Sequence, residues 1–343
     1  MAQNVPRDVA ELEDALSRPP AGVVETMKRI AGDIIVLGVG GKMGPTLARM
    51  AKRASDQAGV RRRVIGVSRF SSPALPDELR RQGIEPIACD LLDETALEHL
   101  PDAPNVVFMA GMKFGSTGQE ALTWAMNCYL PGMVGRKYRH SRIVAFSTGN
   151  IYGLTPVSRG GSLESDVPNP LGCYANSCLG RERIFEHFSR AFGIPMAMIR
   201  LNYAVELRYG VLVDIARQVW QQKTINVCMG FFNAIWQAEA SAMALQAFDH
   251  LATPPLLLNV TGTEILSVRR VAEQFGRLMG KPVRFEGGES PDALVSNAQR
   301  ACGLMGTPAV SSEQMIQWIA DWIMKGGEAL DKPTHFEVRN GNY

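Results

Sequence analysis

The chain has 343 residues, of which 20% are charged, and its formal net charge is +2. This balance argues against a nucleic-acid-binding protein, and no long run of like charges indicates an acidic or basic tail. The length suffices for one large α/β domain and a smaller second one.

The cysteines and histidines form no pattern typical of a metal site. The six cysteines are scattered along the chain, and the five histidines do not fall near them at ligand spacing. We therefore expect free thiols, no metal and a cytoplasmic protein. No apolar run approaches the ~18 residues of a membrane-spanning helix. The acidic start of the chain does not resemble a secretion signal, so we expect neither export nor a membrane span.

Residues 1–32 precede the first predicted strand. They predict a short helix at about Val9 to Leu16, then Pro19 and Pro20, and a second short helix that ends before Gly32. Because chain ends rarely carry chemistry, we interpret residues 1–32 as a helical extension that packs on the edge of the sheet.

Residues 33–44 predict a strand, a tight turn and the start of a helix. Ile34 to Leu37 are consecutive apolar residues, as in a strand buried on both faces. Three glycines follow at the spacing Gly-x-x-Gly-x-x-Gly: Gly38, Gly41 and Gly44. A glycine triplet alone is equally consistent with a strand-to-helix turn that binds no ligand. Its position after a buried strand favours a site for a dinucleotide pyrophosphate at the helix N-terminus, which would include Lys42 and Met43.

Strand and helix patterns alternate after this turn. The further apolar strand candidates are Val64 to Val67, Glu85 to Ala88, Val106 to Ala110, Ile143 to Phe146, Ala197 to Leu201 and Leu256 to Val260. This alternation predicts an α/β fold with a Rossmann-type doubly wound parallel sheet, formed mainly by residues 33–202.

Residues 203–343 predict a smaller, mostly helical substrate lobe, with residues 255–261 returning to the sheet. Its predicted helices are Leu212 to Gln222, Ala238 to Leu251, Val268 to Met279 and Glu313 to Met324. Apolar residues recur at helical spacing in the last of these helices, as expected for core packing.

The end of the second strand bears on which dinucleotide binds. An acidic residue there would accept hydrogen bonds from the ribose 2′-hydroxyl of NAD, whereas a basic one accommodates the 2′-phosphate of NADP. The strand ends at Ser68 and Arg69, which can together hold a phosphate. Asp56 is nearer the usual offset for the acidic residue but falls in the preceding helix or its loop, so we interpret it as surface charge. NAD with a solvated Arg69 remains the alternative, and the sequence favours NADP.

Three further positions follow predicted strands. Asp90 lies where a carboxylate can accept a hydrogen bond from an adenine amino group. Ala110 and Gly111 are small residues that would let the backbone lie along a cofactor. Lys113 follows on the loop that leaves the same strand. At the carboxyl edge of a parallel sheet, contact with a cofactor and simple solvation are equally reasonable for this lysine.

Two hydroxyl groups are candidates for the chemistry. Residues 143–153 predict a buried strand that delivers Thr148 to the carboxyl edge of the sheet, and Tyr174 opens a later helix. An alcohol and a phenol over a nicotinamide would orient a substrate hydroxyl and exchange its proton.

These motifs together resemble the extended short-chain dehydrogenases/reductases of the NAD-dependent epimerase/dehydratase family, of which UDP-galactose 4-epimerase is the best-known member. The resemblance extends from Asp33 to about Met324. It rests on the glycine turn, Asp90-Leu91, the loop run Ala110-Gly-Met-Lys-Phe-Gly115, Asn127, Phe146-Ser-Thr-Gly-Asn-Ile-Tyr-Gly153, Glu164 and Tyr174-Ala-Asn-Ser-Cys-Leu-Gly-Arg-Glu182.

The resemblance implies roles for individual residues. The glycines would cradle pyrophosphate, and the remaining cofactor contacts would come from Asp90, Leu91, Ala110 and Lys113. Asn127 would support the site, Thr148 would be the hydroxyl partner and Tyr174 the acid/base. A homodimer is also implied, through a four-helix bundle of helices at about 117–135 and 174–192.

One catalytic position departs from the family pattern Tyr-x-x-x-Lys, because Cys178 stands where the lysine is expected. The family lysine lowers the pKa of the tyrosine and hydrogen-bonds the nicotinamide ribose. The oxidised nicotinamide, Lys113 or Arg181 are the candidates to replace its charge. Cys178 itself is interpreted as a small buried residue, since no histidine is placed to make it a nucleophile.

A group of residues after the sixth strand is expected to line the substrate pocket between the lobes: Asn202, Arg208, Tyr209, Trp236 and Gln237. We expect an NAD(P)-dependent enzyme that acts on a hydroxyl or keto carbon of a sugar or sugar-derived acid. The alternatives are a catalytically weak NAD(P)-binding sensor or partner protein, and a lyase or isomerase in which the cofactor is structural.

Overall fold

The computed structural model describes residues 5–113 and 118–341. Phe114 and Gly115 of the quoted loop run lie outside the described residues. The central sheet has seven parallel strands in the order β7-β6-β5-β4-β1-β2-β3. Their bounds are β1 (Ile34–Leu37), β2 (Val64–Ser68), β3 (Glu85–Ala88), β4 (Asn105–Phe108), β5 (Arg142–Thr148), β6 (Met196–Leu201) and β7 (Leu256–Val260). The predicted α/β fold class is confirmed.

The strand order reverses at β1. Ile34 pairs with Val64 of β2 on one side and with Asn105 of β4 on the other. In open parallel sheets, the crevice for a ligand lies at this switch point, beyond the carboxyl ends of the strands. The glycine turn after β1 and the loop after β4 therefore border the same crevice.

The helices cover both faces of the sheet. Their bounds are α1 (Val9–Leu16), α2 (Ala21–Arg29), α3 (Gly44–Gln57), α4 (Leu75–Arg81), α5 (Glu94–Glu98), α6 (Glu120–Trp124), α7 (Leu130–Lys137), α8 (Gly172–Phe192), α9 (Val211–Trp220), α10 (Gln237–Gln246), α11 (Val268–Met279), α12 (Gln299–Met305) and α13 (Ser312–Met324). One π-helical turn, Ala125–Tyr129, joins α6 to α7. Alternate residues of β1 enter the two separate cores, as the two-residue period of a strand requires.

The two N-terminal helices lie on a face of the sheet. Leu12, Leu16 and Met27 are fully buried in the core, where α1 and α2 pack against α3 and α10. The expectation that they pack on an edge strand is therefore wrong. The apolar stripes of both helices find helical partners, which bury more apolar surface than a strand edge offers.

The second lobe is formed mainly by α9, α11 and α13, which pack together. Beyond the main sheet, four pairs of short strands link the lobe and the nearby loops: Thr155–Pro156 with Asp292–Ala293, Ala204–Val205 with Ile235–Trp236, Thr224–Asn226 with Arg284–Glu286, and Phe231–Phe232 with Leu266–Ser267. After α13 the chain runs back over the lobe toward the start of α8. Among the described residues, no helix is long and apolar enough to cross a membrane.

Candidate active site

The glycines of the turn let neighbouring backbone segments pack closely against it. Gly38 has a φ of 93°, and a Cβ there would lie 2.6 Å from the amide nitrogen of Ala110. A Cβ on Gly44 would lie 2.2 Å from the carbonyl oxygen of Val39. At Gly41 a Cβ would meet only the carbonyl oxygen of Gly38, at 3.5 Å. Gly38 and Gly44 thus permit the turn itself, and Gly41 leaves its outer surface open. This arrangement fits the pyrophosphate of a dinucleotide.

A cavity of about 370 Å³ lies in front of this turn. Side chains from both lobes line it, including Lys42, Lys113, Thr148, Tyr174, Asn202 and Tyr209. The cavity therefore brings together the predicted glycine turn, the two hydroxyl candidates and part of the predicted substrate group. Gln237, Asn150 and Thr334 also line it.

Tyr174 lies in the first turn of α8, and its hydroxyl hydrogen-bonds the side chains of Thr148 and Cys178. Thr148 ends β5, and its Oγ1 also accepts a hydrogen bond from the amide of Asn150 at 3.2 Å. Burial raises the pKa of Tyr174 well above its usual value, while the charge of Arg181 acts in the opposite direction. Burial thus keeps the phenol protonated, with the alcohol of Thr148 and the thiol of Cys178 as its hydrogen-bond partners.

Cys178 is completely buried. It packs with Ile151, Tyr152 and Leu179 in a small apolar cluster, and burial raises the pKa of its thiol. The interpretation of Cys178 as a small buried residue agrees with this packing. A neutral thiol at this position leaves the ammonium of the family pattern to be replaced by another group.

Two cations flank the pair of Tyr174 and Cys178. Arg181 is buried and donates to the carbonyl oxygen of Phe146 at 2.8 Å and to Oδ1 of Asn127 at 2.5 Å. The Nζ of Lys113 lies 5.8 Å from the centroid of the Tyr174 ring. Burial lowers the pKa of Lys113 to about 8, and the nearby Cys178 partly offsets this effect.

Asn127 fixes the loop that carries Lys113. It lies in the π-helical turn, where its Oδ1 accepts from the amide of Met112 at 3.0 Å and its Nδ2 donates to the Met112 carbonyl oxygen at 2.9 Å. Nδ2 also donates to Oγ of Ser177 on α8 at 2.9 Å. Single π turns often occur at functional sites, and this one ties the loop to the helix of Tyr174.

Lys42 extends from the glycine turn to the second lobe. Its Nζ lies 3.2 Å from the centroid of the Tyr209 ring. Burial, together with the charges of Lys332 and Lys113, lowers the pKa of Lys42 to about 7. The cavity therefore carries a desolvated cation at the border between the lobes.

Ser68, Arg69 and Asp90 lie outside the enclosed cavity, beyond the glycine turn. Ser68 lies against the turn, because a Cβ placed on Gly40 would be only 2.4 Å from Ser68 Oγ. The Arg69 side chain is 70% exposed, and its Nη1 lies 3.8 Å from Asp90 Oδ2. Both charges follow the carboxyl ends of the neighbouring strands β2 and β3. Leu91 and Ala110 are buried and contribute packing and backbone.

A model of the NAD dependent epimerase/dehydratase family matches residues 34–205, which include the glycine turn, Thr148 and Tyr174. The chain belongs to this family. The family assignment made from the sequence is therefore confirmed. No curated protein sequence is significantly similar to the chain.

Solved structures of sugar-nucleotide enzymes share the fold of this family member. UDP-glucuronic acid 4-epimerase from Bacillus cereus, in complex with UDP-glucuronic acid and NAD, has a TM-score of 0.69 and 17% identity over 85% of this chain and 99% of its own. dTDP-glucose 4,6-dehydratase from Bacillus anthracis, in complex with NAD, has a TM-score of 0.72 and 15% identity over 86% of this chain and 97% of its own. UDP-glucose 4-epimerase from Thermotoga maritima, with UDP-glucose, has a TM-score of 0.68 and 17% identity over 86% and 99%.

Two of the predicted substrate residues lie away from the cavity of this epimerase/dehydratase family member. Arg208 forms ion pairs with Glu13 of α1 at 2.7 Å and with Glu206 at 3.1 Å, so it joins the N-terminal helix to the lobe. Trp236 is buried and packs edge-to-face on Trp318, with ring centroids 5.4 Å apart. Their expected place in the pocket is wrong because distant partners, which the local sequence does not reveal, hold both side chains.

Asn202 lines the cavity but its amide is already engaged. Its Nδ2 donates to Asn233 Oδ1 at 2.9 Å and to the carbonyl oxygen of Leu294 at 3.1 Å. Thr334 is one of the lining residues that the sequence did not suggest. It is held by Asp214, whose Oδ2 accepts from Thr334 Oγ1 at 2.6 Å, and no local motif signals such a long-range pair.

A buried ion pair supports the site from behind. Arg200 of β6 and Glu182 of α8 pair at 2.8 Å, and both side chains are at most 4% exposed. Glu182 also accepts a hydrogen bond from Ser147 Oγ at 2.6 Å, and Arg200 Nη1 donates to Tyr152 Oη at 2.6 Å. This network fixes α8, and hence Tyr174, on the end of β5.

Among the described residues, no three His, Cys, Asp or Glu side chains form a group suited to a metal ion. All six cysteines are free.

Proposed function

We propose that this protein is an NAD(P)-dependent enzyme that acts on a hydroxyl or keto carbon of a sugar or sugar-derived acid. The observation that carries the proposal is the hydrogen-bonded pair of Tyr174 and Thr148, which faces the same cavity as the glycine turn. Family membership supports the reaction class. The fold shared with sugar-nucleotide epimerases and dehydratases is consistent with a sugar-like substrate.

The cofactor would be held by the glycine turn, by Lys42 and by the loop of Gly111 and Lys113. When bound, it supplies a hydride acceptor at the nicotinamide carbon. The substrate hydroxyl would occupy the space in front of Thr148 Oγ1 and Tyr174 Oη. Thr148 would orient the hydroxyl oxygen, and Tyr174 would exchange the proton of this group.

Tyr174 needs a positive charge to act as a base. An unperturbed phenol has a pKa near ~10, and lowering it to ~7 requires roughly 4 kcal/mol of favourable interaction with the ionised form. The charge of Arg181 already opposes the effect of burial on the pKa of Tyr174. Lys113 is a second candidate, since its Nζ lies 5.8 Å from the centroid of the Tyr174 ring and a charge within ~4–6 Å of an ionisable group shifts its pKa appreciably. Arg181 contributes a fixed charge, because its guanidinium is anchored by Phe146 and Asn127.

Replacement of Lys113 tests this electrostatic role. Lys113→Met should move the pH at which activity rises to a higher value, because the phenol then loses a neighbouring cation. Lys113→Arg keeps the charge and should restore the profile in part. An unchanged pH profile in Lys113→Met would contradict the role of this lysine.

We infer that the preferred cofactor is NADP. Ser68 and Arg69 end the second strand, where a 2′-phosphate would lie, and the Arg69 side chain is exposed to receive it. Asp90 lies beside Arg69 and competes for its charge. The related structures contain NAD, so the inference depends on Ser68 and Arg69, and replacement of Arg69 tests it.

We also propose a homodimer. Large apolar side chains are exposed on the surface formed by α6, the π turn and α8: Leu122, Trp124, Tyr129 and Phe192. A second copy that packs α6–α7 and α8 in a four-helix bundle would cover this surface. Trp124→Glu should convert the dimer to a monomer in light scattering, whereas Trp220→Glu, an exposed tryptophan of α9, should not. A monomeric wild-type protein would contradict the proposal.

The competing function is a dinucleotide-binding sensor or partner protein with little turnover. It is favoured by one observation: the phenol has a raised pKa and a neutral thiol, Cys178, as its neighbour. Incubation with NAD(P) and a panel of sugars and sugar acids separates the two functions. Cofactor reduction, or interconversion of epimers, that is abolished in Tyr174→Phe supports the enzyme. Tight cofactor binding without turnover across the panel supports the sensor.

A further inference from the structure

Residues 328–341, which we name the closing segment, connect the second lobe to the helix of Tyr174. The segment begins at Glu328, whose carbonyl oxygen accepts from Trp322 Nε1 of α13 at 2.8 Å. The amide of Leu330 then donates to the carbonyl oxygen of Arg208 at 3.1 Å. Asp331 pairs with Arg217 of α9 at 2.7 Å. The first half of the segment is thus bound along α9.

The middle of the segment enters the cavity wall. Thr334 is buried, and both its amide and its Oγ1 donate to Oδ2 of Asp214, at 2.8 and 2.6 Å. Phe336 is only 2% exposed and belongs to the main core. Because Phe336 is buried in the core, the closing segment is a folded part of the lobe.

The last residues of the segment reach the start of α8. Arg339 pairs with Asp292 and donates to the carbonyl oxygen of Cys228. A Cβ on Gly172 would lie 2.3 Å from the carbonyl oxygen of Gly341, and a Cβ on Gly341 would lie 2.2 Å from that of Leu171. Both glycines have a φ of 77°, so two backbones pack against each other without side chains at this point. Gly172 lies two residues before Tyr174.

We propose that the closing segment forms one wall of the cavity and restricts this enzyme to small substrates that carry no nucleotide. This inference rests on the proposed function. The segment spans from α9 of one lobe to α8 of the other, and Thr334 lies in the cavity lining beside Lys42 and Tyr209. It therefore bridges the two lobes on one side of the cavity, and in our proposal this bridge blocks the space that a nucleotide attached to the sugar would need.

The size of the cavity supports the same conclusion. Its volume of about 370 Å³ is near the lower end of the roughly 300–1,000 Å³ range of small-molecule sites. That space must hold the nicotinamide end of the cofactor as well as the substrate. The segment lies outside the part of the chain that the family model matches.

Binding of UDP-glucuronate to the full chain tests the proposal. The measurement is calorimetric titration with the wild type, Phe336→Ala and Glu337→Ala, each saturated with whichever of NAD and NADP it binds more tightly. Phe336→Ala removes the buried anchor of the segment and should release it. Glu337→Ala changes the exposed neighbouring side chain and serves as the matched control. Release is verified by faster hydrogen exchange within residues 328–341.

The proposal predicts no measurable binding of UDP-glucuronate to the wild type or to Glu337→Ala. In Phe336→Ala the affinity should rise by at least about tenfold, equivalent to ~1.4 kcal/mol. Should Phe336→Ala fold poorly, Thr334→Ala, which removes the hydroxyl contact of the segment with Asp214, replaces it. Binding to the wild type that is as tight as to the released variant overturns the proposal, and so does exclusion by both.

Failure of the proposed function would be seen in other measurements than failure of the closing-segment proposal. The titration with NAD or NADP alone reports whether the cofactor site exists, and turnover with free sugars reports on the chemistry. Loss of either signal refutes the enzyme, whereas the comparison of the wild type with Phe336→Ala refers only to the closing segment.

Discussion

The side chains of Tyr174 and Cys178 hydrogen-bond to each other one turn apart on α8. In the family pattern a lysine follows the tyrosine at this spacing, so a neutral thiol replaces a cation next to the phenol. The structure compensates in part with charges from elsewhere, since Lys113 comes from the loop after β4 and Arg181 from the next turns of α8. Proton exchange by Tyr174 should therefore depend on residues outside the usual pair.

Replacement of Tyr174 by phenylalanine should lower turnover by roughly 10²–10⁴-fold, which is the usual contribution of a general acid or base. Cofactor affinity should stay nearly constant, because the phenol hydroxyl faces Thr148. Steady-state kinetics and a fluorescence titration of the reduced cofactor measure the two quantities. Thr148→Ser keeps the hydroxyl and is the control that should retain most activity. Equal activity of Tyr174→Phe and the wild type would contradict the assignment.

Insertion of the family lysine should not create a better enzyme. Cys178 is fully enclosed by Ile151, Tyr152 and Leu179, so Cys178→Lys overfills the cluster and should cost about 1–3 kcal/mol of unfolding free energy. Cys178→Ser nearly conserves the volume and keeps a hydrogen bond to Tyr174. Urea unfolding compares the two variants. Higher turnover of Cys178→Lys without loss of stability would show that the pocket still fits a lysine.

The sheet could be predicted because its signals are local. Consecutive apolar residues such as Ile34–Leu37 define buried strands, and glycines mark the turn that follows. Arg181 could also be proposed from its helical distance to Tyr174. In contrast, the contact of Lys42 with Tyr209 and that of Thr334 with Asp214 join residues far apart in sequence. Pairings of this kind depend on how the lobes pack, which no periodic pattern encodes.

The same reasoning explains the errors. Arg208 resembles a substrate-binding arginine because it lies near the end of β6, but the carboxylates of Glu13 and Glu206 neutralise it. Glu13 belongs to α1, which was expected at the edge of the sheet. Because the sequence places α1 at the edge of the sheet, it gives no reason to pair Glu13 with Arg208. The structural role of this arginine is therefore visible only in the folded protein.

Anion affinity in the cavity should fall with rising pH. The pKa of Lys42 is lowered to about 7, so its ammonium is mostly present at pH 6 and mostly lost at pH 8. A bound phosphate or carboxylate favours the protonated lysine, and its affinity is therefore higher at the lower pH. Titration of NAD and NADP binding between pH 6 and 8 measures this effect. Lys42→Met should reduce the dependence to the part that comes from Lys113, whose pKa is lowered to about 8. Lys325→Met, near the end of α13, should leave it unchanged.

Arg69 should determine the choice between the two dinucleotides. Arg69→Asp places a carboxylate where the 2′-phosphate would lie, so affinity for NADP should fall by at least about tenfold, or ~1.4 kcal/mol, and affinity for NAD should rise or stay constant. Asp90→Asn removes the competing carboxylate and should have the opposite, smaller effect on NADP. Competitive titrations of both cofactors measure the ratio. A ratio unaffected by Arg69→Asp would favour NAD as the natural cofactor.

The ion pair of Arg200 and Glu182 should dominate the stability of the region around Tyr174. Both groups are almost inaccessible to solvent, so Glu182→Gln leaves a buried guanidinium without its counter-charge and should cost about 3–5 kcal/mol. The pair of Arg183 and Glu186 on the outer side of the same helix is mostly exposed, and Arg183→Met should change stability by less than about 0.5 kcal/mol. Urea unfolding of both variants tests the contrast. Equal losses would mean that solvent reaches the inner pair and that Tyr174 is positioned by packing alone.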